Sequence, residues 1–158
     1  MRIVTAGIGL RAAHVLSIFK EAMPEADLVG YFDPQTDSAL NIDGASLSPD
    51  EAVALVGDQT FPGYPDAPKI KQLQNGFSAC TQMRHDTPRF SSVEDMLEIT
   101  QPDLFFVGSP NSFHLKHIKL GLKAGVRIFT EKPVVTTKED TMELAGLLAE
   151  HGTDRVMV

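Results

Sequence analysis

The stretch VTAGIGLRAAH, residues 4–14, decides the fold of this chain. The apolar run at residues 2–6 is typical of a buried strand, and the residues after the stretch place apolar side chains at helical spacing. Between these two elements, Gly7, Gly9 and Ala12 make a G-x-G-x-x-A pattern. The pattern is typical of a loop that cradles a phosphate, but also of a tight turn between a strand and a helix. The stretch alone leaves both interpretations open.

An acidic residue further along favours the phosphate cradle. A second strand, predicted over residues 27–32, ends at Asp33, which lies 24 residues after Gly9. A carboxylate in that position accepts hydrogen bonds from a ribose diol, while the N terminus of the preceding helix offers free N–H groups to a diphosphate. The combination predicts a dinucleotide site. Because the carboxylate would repel a 2′-phosphate, NAD is favoured as the cofactor, with NADP as the alternative.

Strands and helices alternate along the rest of the chain. The run Leu-Phe-Phe-Val at residues 104–107 is almost wholly apolar, as expected for a strand covered by helices on both faces. This alternation predicts an α/β fold with a doubly wound, mainly parallel sheet. The further predicted helices span residues 93–99, 113–123 and 137–150, and the further predicted strands span residues 126–130 and 155–158.

Residues 34–89 are less regular. Proline and glycine turn signals interrupt them repeatedly, and 56 residues is long for one connection. We interpret the segment as an irregular insertion within a single domain, residues 1–158. Short helices are predicted at 49–56 and 67–74, and a strand near 78–83.

Composition excludes several classes of function. The net charge of −7 argues against a nucleic-acid partner, which usually requires a basic face. No apolar run approaches the roughly 20 residues that span a bilayer, and no signal peptide is evident at the N terminus, so the expected location is the cytoplasm, with no membrane partner. The only cysteine, Cys80, excludes an internal disulfide and is interpreted as a structural or incidental thiol.

Two further groups of polar residues follow predicted strands. In the first, Ser109 and Asn111 could bind a ribose or an amide, although Asn111 and Ser112 are also good helix caps. His114 and His117 lie three residues apart on the following helix; no further ligands accompany them, so no metal site is predicted and His117 is interpreted as a solvated helix residue.

The second group is Glu131-Lys132-Pro133, after the strand at 126–130. A lysine fixed at the carboxyl end of a strand would project into the cleft, where its amine could donate to a substrate oxygen or shuttle a proton. A solvated Glu-Lys pair in a surface loop is the alternative.

The joint pattern resembles the glucose–fructose oxidoreductase/inositol dehydrogenase (Gfo/Idh/MocA) family. That family carries A-T-P-N-x-x-H, then A-L-x-A-G-K-H-V, then E-K-P. This chain has GSPNSFHLKHIKLGLKAGVRIFTEKPVVTT at residues 108–137, and the glycine pattern and YFDP fit the same template. The resemblance covers residues 1–33 and 90–158.

The resemblance implies an NAD(P)-binding Rossmann fold in an oxidoreductase that acts on a sugar, a polyol or a related small hydroxyl or carbonyl compound. It implies that Lys132 is catalytic and lies near the nicotinamide, with the Lys132–Pro133 bond a candidate for the cis form. The cofactor contacts that it implies are Gly7, Gly9, Leu10, Arg11, Asp33, Ser109, Asn111, His114 and Glu131.

Family members usually exceed 300 residues and carry the substrate pocket on a C-terminal domain that this sequence lacks. The expectation is therefore that this chain binds the cofactor but is inactive alone, and that it meets its small-molecule substrate only through the missing domain. The alternative is a stand-alone, non-catalytic dinucleotide-binding or assembly module. Under both hypotheses, exposed apolar surface favours a homo-oligomer.

Overall fold

A computed structural model describes residues 1–34, 40–42, 45–47 and 79–158. In this part of the chain, strands and helices alternate as the sequence predicts. The strands are β1 (Arg2–Ala6), β2 (Asp27–Phe32), β3 (Leu40–Ile42), β4 (Ala45–Leu47), β5 (Leu104–Val107), β6 (Arg127–Thr130) and β7 (Val156–Met157). The helices are α1 (Leu10–Ala22), α2 (residues 79–86), α3 (Val93–Thr100), α4 (His114–Lys123) and α5 (Lys138–His151), with 3-10 turns at Asn111–Phe113 and Thr153–Arg155.

Five strands form a parallel sheet in the order β2-β1-β5-β6-β7. The chain leaves β1 toward one edge and returns to its other side at β5, so the winding direction reverses between these two strands. In open parallel sheets, ligands bind outside the carboxyl ends of the strands at such a reversal. The predicted doubly wound α/β fold is confirmed, while β3 and β4 form a separate antiparallel pair that the sequence did not indicate.

Both faces of the sheet are covered. On β5, Phe105 and Val107 pack with α3 and α4, whereas Leu104 and Phe106 pack with α1. Successive side chains of a strand point to opposite faces, so an apolar strand such as β5 contributes to both cores at once. All four of its residues are buried, which explains the unbroken apolar run.

Local signals set several helix ends. The Ser92 side chain accepts a hydrogen bond from the Asp95 N–H (3.0 Å) and caps α3, and Thr137 caps α5 in the same way. Gly125 follows α4 with a φ of 71°, a conformation that favours glycine. The expected capping by Asn111 or Ser112 is wrong, because no side-chain cap is found at the 3-10 turn or at α4.

The strand expected near 78–83 is also wrong, since residues 79–86 are helical. Cys80 and Arg84 are one helical turn apart, and both donate to the carbonyl oxygen of Ile8. A helix brings residues at i and i+4 to one face, whereas a strand would separate them. The helices predicted at 49–56 and 67–74 lie outside the described residues. Within the described ranges, no helix has the length and apolar character needed to cross a membrane.

Candidate functional site

A cleft of about 480 Å³ lies at the carboxyl ends of β1, β2 and β5. Its walls come from the loops that follow these three strands, together with Arg84 of α2 and residues of α4. This volume lies within the range of small-molecule sites. The cleft therefore occupies the position that the reversal of the sheet predicts.

The glycine loop is shaped by contacts that only glycine allows. Gly7 has a φ of 89°, and its N–H donates to the Phe32 carbonyl at 2.7 Å. A Cβ atom there would lie 2.7 Å from the carbonyl oxygen of Gly108. Likewise, a Cβ on Gly108 would lie 2.8 Å from that of Ala12, which explains the small residue at the third position of the pattern. The loop is thus pressed against the loop that follows β5.

Gly9 has a different role. It precedes α1 with extended backbone, and a Cβ built on it meets no atom within 4 Å. Since Gly9 lines the cleft, its missing side chain leaves room for a ligand and is not required by packing. No side chain of the described residues caps the N terminus of α1, so its N–H groups are available to an anion.

Asp33 lies beside this loop, as predicted, and is 7% exposed. One carboxylate oxygen, Oδ2, accepts hydrogen bonds from the N–H of Ile8 (3.0 Å) and from Nη2 of Arg84 (2.6 Å). The protein itself therefore fixes the orientation of the carboxylate at the end of the cleft where a ribose would lie.

Arg84 lines the cleft and contacts Asp33, although the sequence did not indicate it as a site residue. Its Nη2 also donates to the carbonyl of Ile8 (3.0 Å), while its Nη1 is buried and has no hydrogen-bond partner. Its neighbour Cys80 is fully buried, which raises the pKa of the thiol, in keeping with a structural role. The sequence around Arg84 carries no signal of this burial.

His117 corrects a second expectation. It is 4% exposed and lines the cleft, so it is not a solvated helix residue. Burial, with smaller effects from the charges of Lys116 and His114, lowers its pKa from 6.5 to about 4. The neutral ring shares a hydrogen bond with Ser109 between Nδ1 and Oγ (2.9 Å) and stacks on Phe113.

His114 is fully buried and connects two loops. Its Nδ1 lies 2.9 Å from the carbonyl oxygen of Pro133, and its Nε2 lies 2.7 Å from that of Ser109. Both partners are carbonyl oxygens, which only accept hydrogen bonds, so a ring nitrogen that carries a proton donates to the carbonyl it faces. His114 does not line the cleft; it holds the loop after β6 against the loop after β5.

Glu131 and Lys132 begin that second loop. The Oε2 atom of Glu131 lies 4.0 Å from Nε of Arg11, whereas its Oε1 is buried without a partner. Burial raises the pKa of Glu131, and the charges of Arg11, His114 and Lys132 oppose this shift. Lys132 is exposed and lies two residues beyond the end of β6, and the Lys132–Pro133 bond, a candidate for the cis form from the resemblance, is cis.

The predicted contact residues are not all brought together. Gly7, Gly9, Leu10, Asp33 and Ser109 line the cleft. The other predicted residues do not line it. Arg11 and Lys132 are exposed, and His114 and Glu131 lie outside the cleft lining. Asn111 lines a separate surface depression. Within residues 1–34 and 79–158, no group of three potential ligands could hold a metal ion.

These features fit a ligand with a diphosphate and ribose hydroxyls. The space above Gly9 and the uncapped N terminus of α1 suit the diphosphate, and the Asp33 carboxylate suits the diol. Two buried polar atoms, Nη1 of Arg84 and Oε1 of Glu131, have no hydrogen-bond partner among the residues that the structure describes. The fold and the cleft define a dinucleotide-binding domain of the doubly wound type.

Comparison with known proteins identifies the family. The model of the Gfo/Idh/MocA oxidoreductase family, NAD-binding Rossmann fold, matches residues 1–158. The chain belongs to this family, and NAD is its cofactor.

The chain is also similar to individual relatives. It is 41% identical over 57 residues to D-glucoside 3-dehydrogenase of Escherichia coli strain K12, a match that covers 36% of this chain and 16% of that protein. Scyllo-inositol dehydrogenase of Lactobacillus casei, solved with NAD(H) and scyllo-inositol, superposes with a TM-score of 0.59 at 22% identity, covering 99% of this chain and 35% of that chain.

The WlbA dehydrogenase of Chromobacterium violaceum, solved with NADH and UDP-GlcNAcA, gives a TM-score of 0.59 at 19% identity, covering 96% of this chain and 32% of that chain. At these identities the superpositions show a shared fold. The chain spans about a third of the length of these solved relatives.

Proposed function

We propose that this chain is the cofactor-binding part of an oxidoreductase acting on a sugar, a polyol or a related hydroxyl or carbonyl compound. The observation that carries the proposal is the combination of open space at Gly9, an uncapped α1 N terminus and Asp33 at the same cleft. The named relatives, which include dehydrogenases of a glucoside and of inositol, support this class of substrate.

Each residue then has a defined task. The main-chain N–H groups after Gly9 bind the diphosphate, and Asp33 accepts hydrogen bonds from the adenosine ribose. NAD, when bound, supplies a nicotinamide ring that exchanges a hydride with the substrate carbon. Lys132 orients the substrate oxygen and holds or donates its proton. Arg11, in the first turn of α1, and Glu131, next to Lys132, come within 4.0 Å of each other and connect the diphosphate end of the site with the loop that carries Lys132.

Calorimetric titration of the chain with NAD tests the proposal. We expect a dissociation constant below about 1 mM, together with a rise in the melting temperature. We expect this chain alone to bind NAD but to show no turnover in absorbance assays with inositols and sugars, because it spans about a third of the length of its solved relatives. Absence of both heat and thermal shift at millimolar NAD would overturn the proposal.

Self-association remains a prediction. Phe113, Met142 and Met157 are large apolar side chains with exposed surface, and sedimentation equilibrium measures whether copies associate.

A further inference from the structure

The charge at the ribose end of the cleft differs from what the sequence indicates. A lone Asp33 carboxylate would repel a 2′-phosphate and thereby exclude NADP. In the structure, however, Nη2 of Arg84 lies 2.6 Å from Oδ2 of Asp33, and the two side chains are 5% and 10% exposed. The pair is buried and electrically neutral as a unit, so the negative charge that would reject NADP is compensated within the protein.

A second cation lines the cleft. Lys116 of α4 lines the same cleft and is exposed to solvent. Among the described residues that line the cleft, the charged side chains are Asp33, Arg84 and Lys116. These described side chains, two cations and one anion, sum to a charge of +1, even though the whole chain carries −7. The neighbouring His117 adds no charge at neutral pH.

Arg84 also retains unused hydrogen-bonding capacity. Its Nη1 atom is buried and has no partner in the part of the chain that the structure describes, and the side chain lies in the wall of the cleft. A buried guanidinium donor without an acceptor is costly, and guanidinium groups pair strongly with phosphate oxygens. An arginine near this carboxylate position is also the usual means by which doubly wound folds accommodate a 2′-phosphate.

We infer that the ribose end of the cleft accepts a 2′-phosphate, so that the chain binds NADP as well as NAD, and that Arg84 determines this specificity. The inference rests on the dinucleotide binding proposed above. Arg84 acts by cancelling the charge of Asp33 and by offering N–H donors to the phosphate, and the exposed Lys116 adds electrostatic attraction.

Paired titrations with NAD and NADP test the inference. For the unmodified chain we expect the two dissociation constants to agree within about tenfold. Arg84→Met should weaken NADP binding at least about tenfold more than NAD binding, because the positive charge of Arg84 beside Asp33 is then lost. Asp33→Asn should instead strengthen NADP binding relative to NAD binding. The fragments 5′-AMP and 2′,5′-ADP probe the adenosine end alone and should show the same pattern.

A second pair of variants avoids the buried site, in case Arg84→Met does not fold. Lys116→Met should weaken NADP binding selectively, and the preference should fall as salt rises, because the cation is exposed. Lys119→Met is the matched control: this lysine lies on the same helix but pairs with Glu143 outside the cleft.

Two results would overturn the inference: NADP binding more than about 100-fold weaker than NAD binding, or an NADP-to-NAD ratio that Asp33→Asn and Lys116→Met leave unchanged. If NAD binding is intact, either result overturns this inference but does not contradict the proposed function. Loss of binding to both cofactors would instead remove the proposed function.

Discussion

The imidazole of His114 and the carbonyl of Pro133 lie 2.9 Å apart, in the interior behind the cofactor cleft. Through its other nitrogen the same ring contacts the carbonyl of Ser109 at 2.7 Å. Ser109 follows β5, and Pro133 directly follows Lys132 beyond β6. One buried side chain therefore sets the distance between the cleft wall and the loop that carries the proposed catalytic lysine.

Replacing His114 tests this connection. His114→Phe keeps a planar ring but leaves two carbonyl oxygens without the partner they now have. We expect it to lower the free energy of unfolding by about 2–4 kcal/mol, measured by urea denaturation. His14→Phe is the control, because His14 is exposed on α1 and should change stability by less than about 0.5 kcal/mol. Equal stability of the two variants would show that the His114 contacts contribute little.

Gly9 provides the most direct test of where the diphosphate lies. A Cβ on Gly9 contacts nothing, and its φ of −90° suits any residue, so Gly9→Ala should fold normally. The added methyl would occupy space predicted to hold the diphosphate, so NAD should bind at least about tenfold more weakly. Gly146→Ala, also unobstructed but on α5 away from the cleft, should leave binding unchanged. Normal NAD binding by Gly9→Ala would place the diphosphate elsewhere.

Gly7 should behave in the opposite way. Gly7→Ala combines a φ of 89° with a contact of 2.7 Å to the Gly108 carbonyl, so we expect a large fall in melting temperature or failure to fold. Gly125→Ala separates the two causes, because it has a φ of 71° but open space around the new methyl. It should cost only about 1 kcal/mol. If Gly7→Ala and Gly125→Ala lost the same stability, the close approach of the two loops would not explain the requirement for glycine at position 7.

The sequence predicted the features that depend on neighbouring residues. Each of three features follows from its own local sequence pattern: the glycine loop, Asp33 at the end of β2 and the apolar β5. Arg84 and His117 could not be placed in this way. Both are polar side chains buried by tertiary packing, Arg84 beneath the carbonyl of Ile8 and His117 against Ser109, and nothing in their immediate sequence distinguishes them from solvated residues.

The buried His117 makes stability depend on pH. Its pKa in the folded chain, about 4, is below the ordinary 6.5, so the unfolded chain takes up the proton first. Stability should therefore fall as pH decreases from about 6.5 through about 4, by about 3 kcal/mol in total. His117→Asn should remove this part of the dependence in urea denaturation across the same range. An unchanged slope would assign the acid sensitivity to other groups.

Glu131 should act with the opposite sign. Burial raises its pKa above 4.5 in the folded chain, so the folded state holds the proton longer than the unfolded state does. The contribution of Glu131 to stability is fully present below pH 4.5 and is lost as pH rises through the raised pKa. Glu131→Gln should remove this loss and leave the chain at least as stable at neutral pH, because the Arg11 partner is distant at 4.0 Å and 63% exposed.

Urea midpoints from acidic to neutral pH measure the effect of Glu131→Gln on stability, with substitution of the exposed Glu98, Glu98→Gln, as control. A Glu131→Gln variant that became less stable than the control as pH rises would show that the Glu131 charge is favourable in the folded chain.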